Sequence, residues 1–254
     1  MRTYTFWNNK GGTGKTSLCF QCVLEYALAH ESAKILVVDL CPQANLSELL
    51  LGGMENNGAG NLDSLYHYKP RKSIGGYFDS RMQTPFAYTS NINPLDYISK
   101  PSTLNVNIPN NIDLIAGDRL VELQSSFISS LTANKNPSVN TYIAVVSWLR
   151  DILQNMEDYD VVFIDTNPSF SIYTQIALAA TERLIVPVMA DDSSKRALSN
   201  VLSLVYGYNL PSPLYAAYTF NSELNKAGMT LPQIHLIIKN RITQYMGTAA
   251  AYRG

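Results

Sequence analysis

Nine consecutive residues, Asn8-Asn9-Lys10-Gly11-Gly12-Thr13-Gly14-Lys15-Thr16, combine the parts needed to hold a phosphate. Glycines at 11, 12 and 14 let successive backbone N–H groups converge on one anion, Lys15 supplies a point charge, and the Thr16 hydroxyl is a ligand type suited to Mg2+. A helix starting here would add the positive end of its dipole. The strict phosphate-loop pattern has its first glycine at position 9, where this chain has Asn9. Two carboxylates complete the set. Asp39 and Asp165 each end an apolar run, and a carboxylate at a strand end can hold a water of a Mg2+ shell. The plainer reading is that each caps the helix that follows.

These groups need a scaffold that brings them together, and the hydrophobic pattern predicts one. Thr3 to Asn8 reads as a short strand, and Ser17 to Ala29 carries apolar residues at helical spacing. Ile35 to Leu40 is a nearly unbroken apolar, β-branched run, the signature of a strand buried on both faces of a parallel sheet, and it recurs at Val161 to Ile164, Leu184 to Val188 and Ile234 to Ile238. Helical patterns lie between them, at Val139 to Met156, Ser171 to Ala180 and Ser194 to Tyr206. Alternation of this kind predicts an α/β fold, a mostly parallel, doubly wound sheet flanked by helices. Gly52 to Asn111 breaks the rhythm, with only weak helical pieces at Leu62 to Tyr68 and Ser73 to Arg81, and is expected to be a surface insertion. Ile112 to Ala116 returns to strand and Asp118 to Ser130 to helix, so residues 1–254 are expected to form one domain.

Lys-Gly-Gly-Thr-Gly-Lys-Thr at 10 to 16 resembles the deviant Walker A loop of the ParA/MinD family of P-loop ATPases. Two further blocks are similar to that family's motifs. Val37-Val38-Asp39-Leu40-Cys41-Pro42-Gln43-Ala44-Asn45-Leu46-Ser47 looks like its first switch, and Tyr159 to Ser169 like its Walker B strand and second switch. Pro42-Gln43 with Asn45 favours the ParA partition side. The resemblance covers Arg2 to about Asn200 and leaves the insertion unmatched. It implies ATP or ADP with Mg2+ as cofactors, held by Lys10, Gly11, Gly12, Thr13, Gly14, Lys15, Thr16 and Ser17, with Thr16, Asp39 and Asp165 around the metal. It also implies a homodimer that sandwiches ATP, Lys10 of one subunit reaching its neighbour's nucleotide, and a centromere-binding or other activator protein as partner. Asn240-Arg241 resembles the family's adenine-contacting pair.

The chain departs from the family pattern in three places. The first switch usually carries a second aspartate that orients the attacking water, and here that position is Cys41. A thiol whose ordinary pKa is about 8.5 is a weak acceptor at neutral pH, so nucleotide binding is expected to persist while hydrolysis is slow or absent. Lys10, Lys15, Asp39 and Cys41 are thus the candidate catalytic positions, Cys41 as a defective one. Asn167 stands where the second switch commonly has Pro or Ala. The family's last strand and helices are expected to be missing after Ile234 to Lys239.

Charge bounds the remaining classes. The formal net charge is -1, but residues 183–254 carry +4 and the remainder -5. Lys195, Arg196, Lys239 and Arg241 are candidates for sequence-independent DNA contact, alongside the more ordinary reading of solvated surface charge. Cys19, Cys22 and Cys41 form no ligand set with nearby His or Cys, and the Cys19/Cys22 pair falls within the first helix, where packing against the sheet is expected. The opening strand and the cysteine usage predict a reduced, cytoplasmic protein, with no apolar run long enough to cross a bilayer. The expected function is an ATP-switched dimer that positions DNA cargo; the alternative is a hydrolysis-deficient, nucleotide-dependent scaffold that recruits a protein through residues 52–111.

Overall fold

β-branched and apolar residues fill Ile35–Asp39 and Val161–Asp165, and every residue of both strands is buried, as central strands covered on both faces require. The structure, a computed structural model, describes residues 1–89, 91–134, 136–156, 158–189 and 193–240, with the backbone of 244–245 and 248–249. In chain order the strands are Arg2–Phe6 (β1), Ile35–Asp39 (β2), Ile98–Ser99 (β3), Ile112–Ile115 (β4), Val161–Asp165 (β5), Arg183–Met189 (β6) and Gln233–Asn240 (β7). They form one sheet in the order β3-β4-β2-β5-β1-β6-β7, parallel throughout except for β3 against β4. The doubly wound α/β architecture expected from the sequence is therefore the one present.

Alternate residues of the strands point to opposite faces and each face has its own helical cover. One face packs Ile35 and Val37 against Lys15–Ala29 (α1), Asn45–Leu50 (α2) and Gly58–Tyr66 (α3). Cys19 is fully buried there, in the packing role expected of it. The other face packs Leu36 and Val38 beneath Ile74–Gln83 (α4), Leu120–Thr132 (α5), Thr141–Val146 (α6), Trp148–Gln154 (α7), Ile172–Ala179 (α8) and Ser193–Tyr206 (α9). Pro213–Ala216 (α10) and Phe220–Lys226 (α11) complete the helices. Among the described residues, no helix is long and apolar enough to cross a membrane.

Two expectations need correction. The single helix read at Val139 to Met156 is two, α6 and α7, joined at Ser147. Trp148 anchors the junction, fully buried, with its indole N–H donating to the Pro85 carbonyl at 2.8 Å and its own carbonyl accepting from the Tyr77 hydroxyl. The 52–111 stretch is also more than a surface excursion. Ile74, Tyr77 and Phe78 of α4 are fully buried in the core, and β3 extends the sheet edge. Arg81 is buried too and pairs with Asp151 at 2.6 Å, which ties α4 to α7. Polar spacing hid this, because a buried arginine reads in sequence as a surface residue.

Candidate nucleotide site

Strands β2, β5 and β1 are neighbours, and the register sets Asp39 opposite Asp165 and Phe6 opposite the same Asp165. The parallel arrangement thus delivers both carboxylates and the start of the glycine loop to one carboxyl edge, where open α/β sheets bind ligands. The loop from Trp7 to Gly14 joins β1 to α1. Asn8 braces it: its amide donates to the Pro187 carbonyl at 2.7 Å and its Oδ1 accepts from the Lys10 N–H at 3.0 Å. Gly12 and Gly14 take φ of +74° and +80°, the left-handed region that glycine enters at little cost. A Cβ on Gly14 would also run into the Asn240 amide.

Lys15 opens α1 and its ammonium donates to the Lys10 carbonyl at 3.2 Å, which folds the loop around the position an anion would take. Burial lowers the Lys15 pKa from its usual value, while Asp165 and Cys41 pull the other way. Lys10 is half-buried, and Gly11, Gly12 and Ser17 are exposed along the loop. Thr13 is buried behind it, its hydroxyl without a hydrogen-bond partner among the described residues and its carbonyl accepting from Asn240 Nδ2 at 3.1 Å. Asn240 therefore ends β7 against the loop, while Arg241 lies outside the described residues.

Thr16 Oγ1 donates to Asp165 Oδ2 at 2.7 Å. Asp39 is held by three donors: the Cys41 N–H at 3.0 Å, the Ser47 N–H at 3.0 Å and the Ser47 hydroxyl at 2.8 Å. Both carboxyls are fully buried, and burial pushes both above the usual range; Asp39 raises Asp165 further, whereas the Ser47 donors restrain Asp39. Two adjacent buried carboxylates are costly unless a cation balances them. The second oxygen of Asp165 is buried and makes no hydrogen bond among the described residues. That donor set of hydroxyl and carboxylate oxygens fits Mg2+, which prefers oxygen ligands and retains waters that such an oxygen can accept from.

Cys41 lies against Asp39, and burial followed by the Asp39 charge pushes its thiol up to about 12. It is a neutral group at the position read as catalytic. Gly11, Lys15, Thr16, Cys41, Thr166 and Asn167 are among the residues around a cavity of about 500 Å³ that the loop and both switch segments enclose. Sequence reasoning missed Ser47, whose hydroxyl also accepts from the Gly117 N–H at 2.8 Å and so joins Asp39 to the end of β4. Its signal was a hydroxyl in the first turn of the helix after Asp39. Lys195, Arg196 and Lys239 are exposed at the same carboxyl edge, two in the first turn of α9 and one near the end of β7.

The family model described as an AAA domain, AAA_31, matches residues 1–209. Among curated proteins, an uncharacterized ATP-binding protein of Methanocaldococcus jannaschii is 26% identical over 75% of this chain and 62% of its own length. The virulence plasmid ParA family protein of Chlamydia trachomatis is 27% identical over 95% of this chain and 78% of its own. A probable plasmid-partitioning protein ParA of Thermus thermophilus is 28% identical over 82% and 51%. The chain thus spans between half and four fifths of these relatives' lengths. Among solved structures, an ATP complex of a Cyanothece McdA variant superposes with a TM-score of 0.66 at 19% identity, covering 98% of this chain and 74% of that one. A plasmid partition protein of Borrelia burgdorferi bound to AMPPNP gives 0.57 at 19% identity, over 97% and 78%. The matched model, together with a lysine-bearing glycine loop between β1 and α1, makes the chain a member of the AAA_31 family, of the ParA/MinD-like P-loop ATPase kind.

Proposed function

We propose that the protein is a ParA-like, ATP-dependent dimerising switch that positions or partitions a DNA cargo. The observation that carries this reading is the Lys15 ammonium resting on the Lys10 carbonyl at a cavity beneath which Asp39 and Asp165 are buried. It supports a polyphosphate ligand, and the partition proteins among the relatives support the cargo class. In this reading the loop N–H groups from Gly11 to Ser17 and Lys15 bind the phosphates. Thr16, Asp39 and Asp165 hold Mg2+ or its waters, and Asn240 borders the base. Bound Mg2+ would neutralise the β- and γ-phosphate charge. The Lys10 ammonium completes the partner's site only when a γ-phosphate is present, so nucleotide state sets dimer state.

Cys41 makes hydrolysis slow. A neutral thiol accepts a hydrogen bond from water poorly, so the ATP-bound state is long-lived. Lys195, Arg196 and Lys239 would form a basic edge, doubled by dimerisation, that grips duplex through phosphates and loosens with salt. An activator protein would accelerate hydrolysis, and the protein would act in the cytoplasm on the nucleoid.

The test is mass measurement in solution with ATP, ADP and no nucleotide, beside Lys10→Ala. Dimer with Mg2+-ATP alone, lost in Lys10→Ala while ATP affinity persists, supports the reading; a monomer saturated with ATP overturns it. Cys41→Asp should raise turnover at least tenfold, and equal rates would remove the assigned cause of slowness. The second reading, favoured by Cys41, is a nucleotide-dependent scaffold without DNA binding. An ATP-dependent, salt-sensitive shift of random duplex excludes it.

A further inference from the structure

The family's water-orienting aspartate is missing at Cys41, yet another carboxylate faces the same cavity. Glu122, in the first turn of α5, borders the cavity together with Lys15, Cys41 and Thr166. Among the described residues around that cavity, it is the one acid. Asp39 and Asp165 lie beneath the floor, fully buried; three donors engage Asp39 and Thr16 holds Asp165. Glu122 is exposed, so its carboxylate meets water.

The carboxylate is also aimed. Tyr173 donates its hydroxyl to Glu122 Oε2 at 3.1 Å and accepts from Asn167 Nδ2. The Asn167 amide cannot turn over without loss, because its Oδ1 accepts from Ser169 Oγ at 2.9 Å and from Thr174 Oγ1 at 3.1 Å. Asn167 is the residue that departs from the second-switch pattern, and Cys41 departs from the first. The two departures therefore share one cavity: the acid is gone at Cys41, and an amide at its lining, through a phenol, orients a different acid.

We propose that Glu122 orients and deprotonates the attacking water in place of the missing aspartate, with Tyr173 and Asn167 as its positioning residues. This rests on the ATPase reading above. The water oxygen forms a bond to the γ-phosphorus. The bond from that phosphorus to the bridging oxygen breaks, and its electron pair leaves with ADP. The water proton goes to the Glu122 carboxylate and from there to released phosphate or solvent. A base in this role is worth about 10²–10⁴ in rate.

Glu122→Gln, Cys41→Asp and the double variant would be compared with the wild type for ATP turnover, for affinity toward a fluorescent ATP analogue and for ATP-dependent dimerisation. The expected result is a fall in kcat of at least tenfold in Glu122→Gln, with affinity within about twofold and the dimer retained. Cys41→Asp added to Glu122→Gln should restore turnover, because the two carboxylates serve the same water. Glu122→Asp, a shorter acid on the same helix surface, should retain part of the rate. Unchanged kcat in Glu122→Gln overturns the proposal, as does a parallel loss of affinity and rate, or a double variant no faster than Glu122→Gln alone. Failure of ATP to bind the wild type would instead overturn the ATPase reading, which distinguishes the two.

Discussion

Thr16 donates its hydroxyl to Asp165 Oδ2 at 2.7 Å, joining residues 149 positions apart, while Oδ1 of the same carboxylate lies buried without a hydrogen bond among the described residues. Asp39 sits opposite in the sheet register, so the nucleotide-free protein carries two buried acids side by side. Removing one charge should relieve the free protein and disable the metal-loaded one. Asp165→Asn is therefore expected to melt no lower than the wild type without ligand, yet to lose the increment from Mg2+-ATP. At a hundredfold excess over Kd that increment is about 2.7 kcal/mol, roughly 5–10 °C for a chain of this size. Thermal melts of both proteins with nucleotide, with and without EDTA, check this. An equal Mg2+-ATP increment in the variant would remove Asp165 from the metal site.

Gly14 and Asn240 meet at the other end of the loop. The Asn240 amide donates to the Thr13 carbonyl and occupies the space where a Gly14 Cβ would stand, and Gly14 itself has φ +80°. Alanine there carries about 1–2 kcal/mol of backbone strain and displaces the end of β7. Gly14→Ala should lower the unfolding free energy read from urea titration by that amount and weaken nucleotide binding more than tenfold. Gly14→Ala with Asn240→Gly removes the clash and leaves the strain, so it should recover part of the loss. No recovery would show that backbone strain alone sets the effect.

The loop, Asp39 and Asp165 were legible because each rests on local sequence: a glycine cluster between a strand and a helix, and acids that end buried runs. The helical break at Ser147 and the burial of α4 were not. They depend on tertiary partners such as Trp148 and the Arg81–Asp151 pair, whose residues lie far apart in the chain. Glu122 was hidden for a similar reason. Its place around the cavity that Cys41 also lines follows from the order β4-β2-β5, which brings the helix after β4 to the edge where the loop sits. Polar residues in the 52–111 stretch also look like loop until their partners are known, and Arg71 is the clearest case.

Arg71 forms a two-pronged pair with Asp118, its Nε and one terminal nitrogen donating at 2.9 and 3.0 Å, and its guanidinium stacks over the Tyr66 ring. Asp118 is almost fully buried, and it also accepts from the Ser73 hydroxyl and the Leu120 N–H. The pair thereby fastens the 52–111 stretch to the turn after β4. That turn reaches the nucleotide site, since the Gly117 N–H donates to Ser47, which donates to Asp39. Arg71→Ala leaves Asp118 short of its countercharge, which costs about 3 kcal/mol, the lower end for a buried pair because Arg71 is partly exposed. Urea unfolding should show this as a lower midpoint with an unchanged slope, and ATP affinity should fall with it. A midpoint equal to that of the wild type would mean the stretch is held by its apolar contacts alone.

Burial acts on the phenols as it does on the acids. The hydroxyls of Tyr66, Tyr77, Tyr142 and Tyr159 are pushed above the ordinary tyrosine value, burial being the first cause in each. Tyr77 donates to the Trp148 carbonyl and Tyr159 to Asp113, so losing the proton would also lose the bond. A folded state that holds a proton more tightly than the unfolded chain gains stability below the unfolded pKa of about 10 and loses it as the pH climbs past that value. The protein is therefore expected to destabilise steadily above pH ~10, with these four phenols ionising only as the fold opens. Absorbance of ionised tyrosine, followed with circular dichroism through an alkaline titration, should show an early group and a late group of the sixteen tyrosines, the late group coincident with unfolding. If all sixteen ionise in one step while the dichroism stays native, the four hydroxyls are not held by the core and the packing of α4 on α7 and of α6 on α8 must be looser than described.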